Sequence, residues 1–264
     1  MSNIYILLTC FIFFASAKNK TNRIIGGTYT SISNYPYHAV LEYWGQNRFE
    51  YLCGGALITW NHVLTAGHCC KDFQADKFRV LLGFDDYYNQ IPNQMSNVNQ
   101  IFVHPSYHKI LNEPIHDIAI LKLTSQISPT KTVNVIRLPA FGSYPSSQYL
   151  STITGFGKTK SSNSQPSPYL MKADVKIINN DVCLNAVKSL VPTSNPSIGA
   201  NNFCTMDTPT KGSCSGDSGG PLMQFGEIIG VISWGVSPCD LNNNPTVYTR
   251  VAAYVDWIQN VVQL

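Results

Sequence analysis

Long apolar runs are missing from all but the start of this chain. Ile4 to Phe14 is the one unbroken stretch of apolar and small residues, with Thr9 its only polar member. It is too short to span a bilayer, which takes about 20 residues, and no later stretch is long enough. Ala15-Ser16-Ala17 follows it with the small-x-small pattern of a signal-peptidase site. Residues 1–17 therefore read as an export signal, although no Lys or Arg precedes the apolar stretch. The expected product is secreted and extracellular.

An excess of one charge is missing too. Lys18, Lys20 and Arg23 are the only charged residues before Ile24, and without them the 18 basic residues fall to parity with the 15 acidic ones. There is no Lys/Arg cluster, which argues against nucleic acid and membrane surfaces as partners. No Cys-x-x-Cys pair occurs, and the 6 histidines are not spaced like zinc ligands. No metal and no cofactor is expected. No internal repeat is visible.

Cysteine, by contrast, is plentiful. Of the 8 cysteines, Cys10 leaves with the signal, and Cys53, Cys69, Cys70, Cys183, Cys204, Cys214 and Cys239 remain. Export makes disulfides the default reading. An odd number remains, so one thiol is free or pairs outside the chain.

The body of the chain reads as short strands. "HAVLEY", "GALITW", "FRVLLG", "IAILKL", "TITGF", "DVKII", "EIIGVISW" and "TVYTRV" are separated by Gly, Pro, Asn and Ser clusters. That pattern suits an all-β sandwich or barrels. Only the end looks helical: Tyr254, Val255, Trp257, Ile258, Val261 and Val262 share one face at helical spacing. Thr159 to Pro168 is polar and Pro/Ser-rich, and reads as an exposed loop.

The chemistry lies in three short motifs. "GDSGGP" (Gly216 to Pro221) holds a serine on a glycine-flanked turn, where backbone N–H groups can face a reacting carbonyl. A serine is a weak nucleophile unless a base, itself oriented by a third group, stands beside it. "LTAGHC" and "HDIAIL" supply those partners, giving His68, Asp117 and Ser218 in that order. Gly216-x-Ser218-x-Gly220 also fits the nucleophile elbow of α/β-hydrolases, but that fold places its histidine after the serine. Every histidine here precedes Ser218, the last being His116. A secreted lipase or esterase is therefore disfavoured. A non-catalytic homologue acting as a binding or regulatory protein is the other rival. Such a chain usually loses one of the three residues, and all three stand.

With "RIIGG" (Arg23–Gly27), "CGGALI" (Cys53–Ile58), "CSGDSGGPL" (Cys214–Leu222), "GVISWG" (Gly230–Gly235) and "VYTRV" (Val247–Val251) added, the chain resembles a chymotrypsin-family serine endopeptidase. The likeness is to the chymotrypsin/elastase-like invertebrate type, and it covers nearly all of 24–264. It implies two antiparallel six-stranded β-barrels with a C-terminal helix and the active site between them. It implies Ser218 as nucleophile, His68 as base, Asp117 as the group orienting it, and Gly216 and Ser218 N–H groups as the oxyanion hole.

The resemblance also gives "RIIGG" a meaning. Cleavage after Arg23 would free the Ile24 amine to pair with Asp217, so 18–23 reads as an activation propeptide and 24–264 as the peptidase domain. It implies disulfides Cys53–Cys69, Cys183–Cys204 and Cys214–Cys239, with Cys70 left over as a buried free thiol or an intermolecular bridge. Two adjacent cysteines could also compete for Cys53. The implied substrate pocket comprises Gly212, Ser213, Ser215, Ser233, Trp234, Gly235 and Thr246. Gly212 stands where trypsin-like members carry Asp, Gly235 leaves the entrance open, and Thr246 shortens the slot. The implied preference is for uncharged side chains: Leu, Met, Phe or Tyr ahead of Ala and Val. Phe84 replaces a calcium-loop acid, and Phe156 replaces a common Trp. Implied partners are protein or peptide substrates, an activating trypsin-like protease and serine protease inhibitors.

Overall fold

The computed structural model describes residues 27–111, 113–163, 165–194, 196–206, 212–239 and 244–263. The readings on the export signal, the propeptide, Arg23 and Ile24 lie outside the described residues.

Six antiparallel strands close the first barrel: β1 (His38–Gly45), β2 (Arg48–Thr59), β3 (His62–Thr65), β4 (Phe78–Leu82), β5 (Gln94–Val103) and β6 (Ala119–Leu123). Around the ring they run β1-β2-β3-β6-β5-β4. The second barrel uses β7 (Leu150–Gly155), β8 (Met171–Ile178), β9 (Asn202–Met206), β10 (Pro221–Gln224), β11 (Glu227–Gly235) and β12 (Pro245–Arg250). Its ring runs β7-β8-β9-β12-β11-β10, closed by the β8–β9 pairing. The two rings share one order, first-second-third-sixth-fifth-fourth. The repeat that the sequence does not show is thus present in the topology. Closure removes the open edges that would otherwise pair with other chains.

Period-two patterning makes the strands. In β8, Met171, Ala173, Val175 and Ile177 turn inward while Lys172, Asp174 and Lys176 turn outward. Strand β6 breaks that alternation, with Ala119, Ile120, Leu121 and Leu123 all buried. It is covered on both faces, and such strands read as continuous apolar runs.

The expected C-terminal helix is α2 (Val255–Val262). It buries Val255 and Ile258, and Ile258 joins the core of the first barrel. The last segment of the chain thereby ties the second barrel back to the first. A second helix corrects the expectation that only the end is helical: α1 (Asn180–Leu190). Asn179 caps it by accepting from the Asp181 N–H at 2.8 Å. Only Cys183 and Val187 are buried, so the apolar stripe is too sparse to register as a period. Thr159–Pro168 holds no strand or helix among its described residues, but it is not uniformly exposed. Ser167 is buried, and its hydroxyl donates to the Tyr169 carbonyl at 2.8 Å.

Three disulfides form: Cys53–Cys69, Cys183–Cys204 and Cys214–Cys239. Cys70 is free and buried, and its burial pushes the thiol pKa up. A thiol without solvent access is neither nucleophilic nor available for a bridge between chains. The unusual Phe84 and Phe156 turn out to be partners. Their rings stack at 5.3 Å in an apolar joint where Val40 and Leu81 of the first barrel meet Leu170 of the second. No helix among the described residues is long and apolar enough to cross a membrane.

Leu121 is fully buried in the first-barrel core. Leu121→Ala should lower unfolding stability by roughly 2–5 kcal/mol, read as a shift of the denaturant midpoint at unchanged slope.

Candidate active site

The cleft between the barrels collects the three motif residues. His68 sits on a single helical turn, Gly67–Cys69, directly after β3. Asp117 lies just ahead of β6, and Ser218 on the loop before β10. Strands β3 and β6 are neighbours in the ring, with Thr65 opposite Ala119, which brings His68 and Asp117 together.

Asp117 is only 1% exposed, and its oxygens are fully engaged. Oδ1 accepts from the His68 backbone N–H at 2.8 Å, and Oδ2 accepts from His68 Nδ1 at 2.7 Å and from the Ser233 hydroxyl at 2.6 Å. The Thr249 hydroxyl donates to the Asp117 carbonyl at 2.8 Å. A carboxylate only accepts, so Nδ1 carries the proton and Nε2 presents its lone pair. The Ser218 hydroxyl makes no hydrogen bond to His68, and Nε2 lies 3.6 Å from the Cys69 sulfur. Such contacts are commonly loose without substrate and tighten when it binds.

The Ser218 turn is fixed through its backbone. The Gly54 N–H of β2 donates to the Ser218 carbonyl at 2.8 Å, and the Gly219 N–H to Ile232 at 2.8 Å. A methyl on Gly54 would lie 2.9 Å from the Gly220 Cα, so only glycine permits this approach of the two barrels. Gly216 has φ +100°, a conformation open to glycine. Among the described residues, neither the Gly216 nor the Ser218 N–H finds an acceptor. Two free donors beside a serine hydroxyl can receive an oxyanion.

Asp217 is buried beneath this turn. Its carboxylate accepts from the Gly157 N–H and the Cys214 N–H, each at 2.9 Å. Burial still pushes its pKa up to about 7, against the pull of those two N–H groups. With a folded value above the ordinary one, its ionisation erodes stability as pH rises from about 4 to about 7, unless a cation compensates. Among the described residues it forms no ion pair.

Beside Ser218 opens a cavity of about 290 Å³ whose walls include all seven implied pocket residues, Gly212, Ser213, Ser215, Ser233, Trp234, Gly235 and Thr246. None of its described lining residues carries a charge. The Ser213 and Thr246 hydroxyls meet at 3.0 Å. Asn244 adds a wall that the sequence reading lacked, its amide donating to the Val236 carbonyl at 2.6 Å. The one group of metal-ligand side chains among the described residues is Cys53, His68 and Cys69. Both sulfurs are spent in a disulfide, leaving no thiolate to bind an ion.

A hydrogen-bonded His–Asp pair, tied through Ser233 to the cavity that Ser218 lines, fits a serine-protease arrangement. Comparison with known proteins agrees. The trypsin family model matches residues 24–258. The chain is 32% identical to "CLIP domain-containing serine protease B4" of Anopheles gambiae, over 91% of this chain and 70% of that protein. It is 30% identical to "Trypsin" of Phaedon cochleariae, over 93% and 91%, and 30% identical to "Chymotrypsin-C" of Bos taurus, over 98% of each. The chain belongs to the trypsin family, and its enzyme class is that of the serine endopeptidases.

Sequence reasoning placed Ser233 in the pocket but missed its hydrogen bond to Asp117. Ser233→Ala should leave the fold intact and lower kcat about 10–100-fold, the scale of a lost hydrogen bond to a charged group. Steady-state kinetics on a peptide amide would read this, and an unchanged kcat would exclude the role.

Proposed function

We propose that the chain is a secreted serine endopeptidase made as an inactive precursor. Residues 1–17 direct export, 18–23 form an activation peptide removed by a trypsin-like protease after Arg23, and 24–264 are the peptidase domain. Ser218 attacks the scissile carbonyl, and His68 Nε2 takes its proton and later returns it to the leaving amine. Asp117 holds the imidazole in its reactive tautomer and stabilises the imidazolium. The Gly216 and Ser218 N–H groups receive the oxyanion. The acyl-enzyme is then hydrolysed by the same steps with water as nucleophile.

The observation that carries this reading is the 2.7 Å His68–Asp117 hydrogen bond in the cleft where Ser218 lines an uncharged cavity. Activation is supported by the buried Asp217, whose raised pKa marks a place for a cation. The Ile24 amine, freed by cleavage, supplies one. Pairing raises the amine's own pKa above its usual ~8. The pair is therefore complete at neutral pH, and activity is lost as rising pH deprotonates Ile24.

An uncharged pocket disfavours cleavage after Lys or Arg. The Ser213–Thr246 contact is consistent with a shortened slot, which favours Leu, Met, Phe or Tyr ahead of Ala and Val. One or two methylenes discriminate only ~10–200-fold, so the preference is broad. Substrates are proteins or peptides, and serine protease inhibitors are further partners.

The test uses the precursor and an Arg23→Gln variant, each treated with trypsin or left alone. Both are assayed on peptides that differ only in the residue before the cut. Activity should appear in the treated precursor alone, highest for the larger uncharged residues, and be lost at alkaline pH, above the ~8 of a free α-amine. Equal activity in the untreated chain would overturn the activation mechanism. Absence of cleavage despite a confirmed Ile24 terminus would overturn the catalytic reading.

A further inference from the structure

Gly216 joins two peptide planes, and a different element pins each one. A trans peptide is planar, so fixing its carbonyl fixes the N–H pointing the opposite way. The Ser215 carbonyl accepts from the Lys158 N–H at 2.8 Å, which sets the plane that carries the Gly216 N–H. The Gly216 carbonyl accepts from the Tyr51 hydroxyl at 2.7 Å, which sets the next plane. Tyr51 lies on β2 of the first barrel, whereas Gly216 and Lys158 belong to the second. No motif pointed to Tyr51.

We propose that Tyr51 is a positioning residue for the oxyanion hole, its hydroxyl locking the Gly216–Asp217 peptide, the plane that links the peptides carrying the Gly216 and Ser218 N–H groups, so that the two donors keep their relative orientation at the reacting carbonyl. The inference rests on the reading of Ser218 as nucleophile. The phenol is well placed to act as a strut. Its ring meets Tyr87 edge-on at 5.4 Å, and the Tyr87 hydroxyl donates to Glu42 at 2.6 Å. Glu42 is in turn held by Arg79. A methyl on Gly216 would lie 3.4 Å from the Tyr51 ring, so ring and loop are in packing contact. Burial keeps the phenol protonated well above its ordinary range, so it remains a donor wherever the protein works.

A planar substrate carbonyl asks little of the hole, whereas the tetrahedral oxyanion asks a great deal. Loss of the strut therefore falls on kcat rather than on KM. Tyr51→Phe keeps the ring and its contacts and removes only the hydroxyl. In the processed chain, kcat on a peptide amide should fall about ten-fold, with KM changed less than about two-fold. A peptidyl trifluoromethyl ketone gives a second readout. Ser218 Oγ bonds to the ketone carbon, the C=O π pair moves onto oxygen, and the serine proton passes to His68 Nε2. Affinity for this ketone should fall by the same factor as kcat, while affinity for the matching peptide product stays level.

An unchanged kcat would overturn the inference, as would an equal loss of affinity for ketone and product. Wild-type chain that cleaves peptides beside an indifferent Tyr51→Phe chain overturns this inference alone. Processed wild-type chain that cleaves nothing overturns the proposed function and this inference with it.

Discussion

Asp217 is almost fully buried, so its carboxylate oxygens take what the backbone offers: Gly157 N–H on one side and Cys214 N–H on the other. Those two bonds draw the segment after β7 and the segment before Ser218 onto one point. The Lys158–Ser215 bond continues the seam. Gly216 is then left with its N–H free and Ser218 with its hydroxyl beside the cavity. A buried acid raised to about 7 is an unsatisfied demand for positive charge. In the proposed activation a new chain terminus meets that demand, which would make the geometry of the nucleophile loop depend on an event elsewhere in the sequence.

The two barrels divide the work. The first holds the His68–Asp117 pair between adjacent strands and extends Gly54 and Tyr51 across the cleft. The second carries Ser218, the free N–H groups and the uncharged pocket. Ser233 and Thr249 reach back from the second barrel to Asp117. Neither barrel holds a complete site, so catalytic geometry and inter-barrel packing are one problem. The stacked Phe84 and Phe156, and α2 against the first-barrel core, keep the halves in register.

Much of this was legible beforehand. Strands such as "DVKII" announce themselves because one face is wet and the other dry, and α2 carries a full apolar face. The His68–Asp117 pairing was readable because that chemistry demands those side chains in recognisable local contexts, whereas the residues around the cavity came from the family resemblance. Helix α1 was not readable, because two buried residues make no stripe. The shared ring order was not, because backbone topology can be satisfied by unrelated side chains. Tyr51 was not, because a strand tyrosine looks alike whether its hydroxyl meets water or the Gly216 carbonyl. Phe84 and Phe156 stood out singly as departures from a family pattern, but only packing reveals that they compensate each other.

If the charge of Asp217, and not only its bulk, organises the nucleophile loop, removing the charge alone should disable the loop. Asp217→Asn keeps the size and removes the charge. Precursor bearing this change would be cleaved after Arg23, its Ile24 terminus verified, and its kcat on a peptide amide measured beside the wild type. kcat should fall about 10²–10³-fold, the scale of a lost oxyanion donor, with the melting transition still cooperative. A processed Asp217→Asn chain as active as the wild type would contradict it.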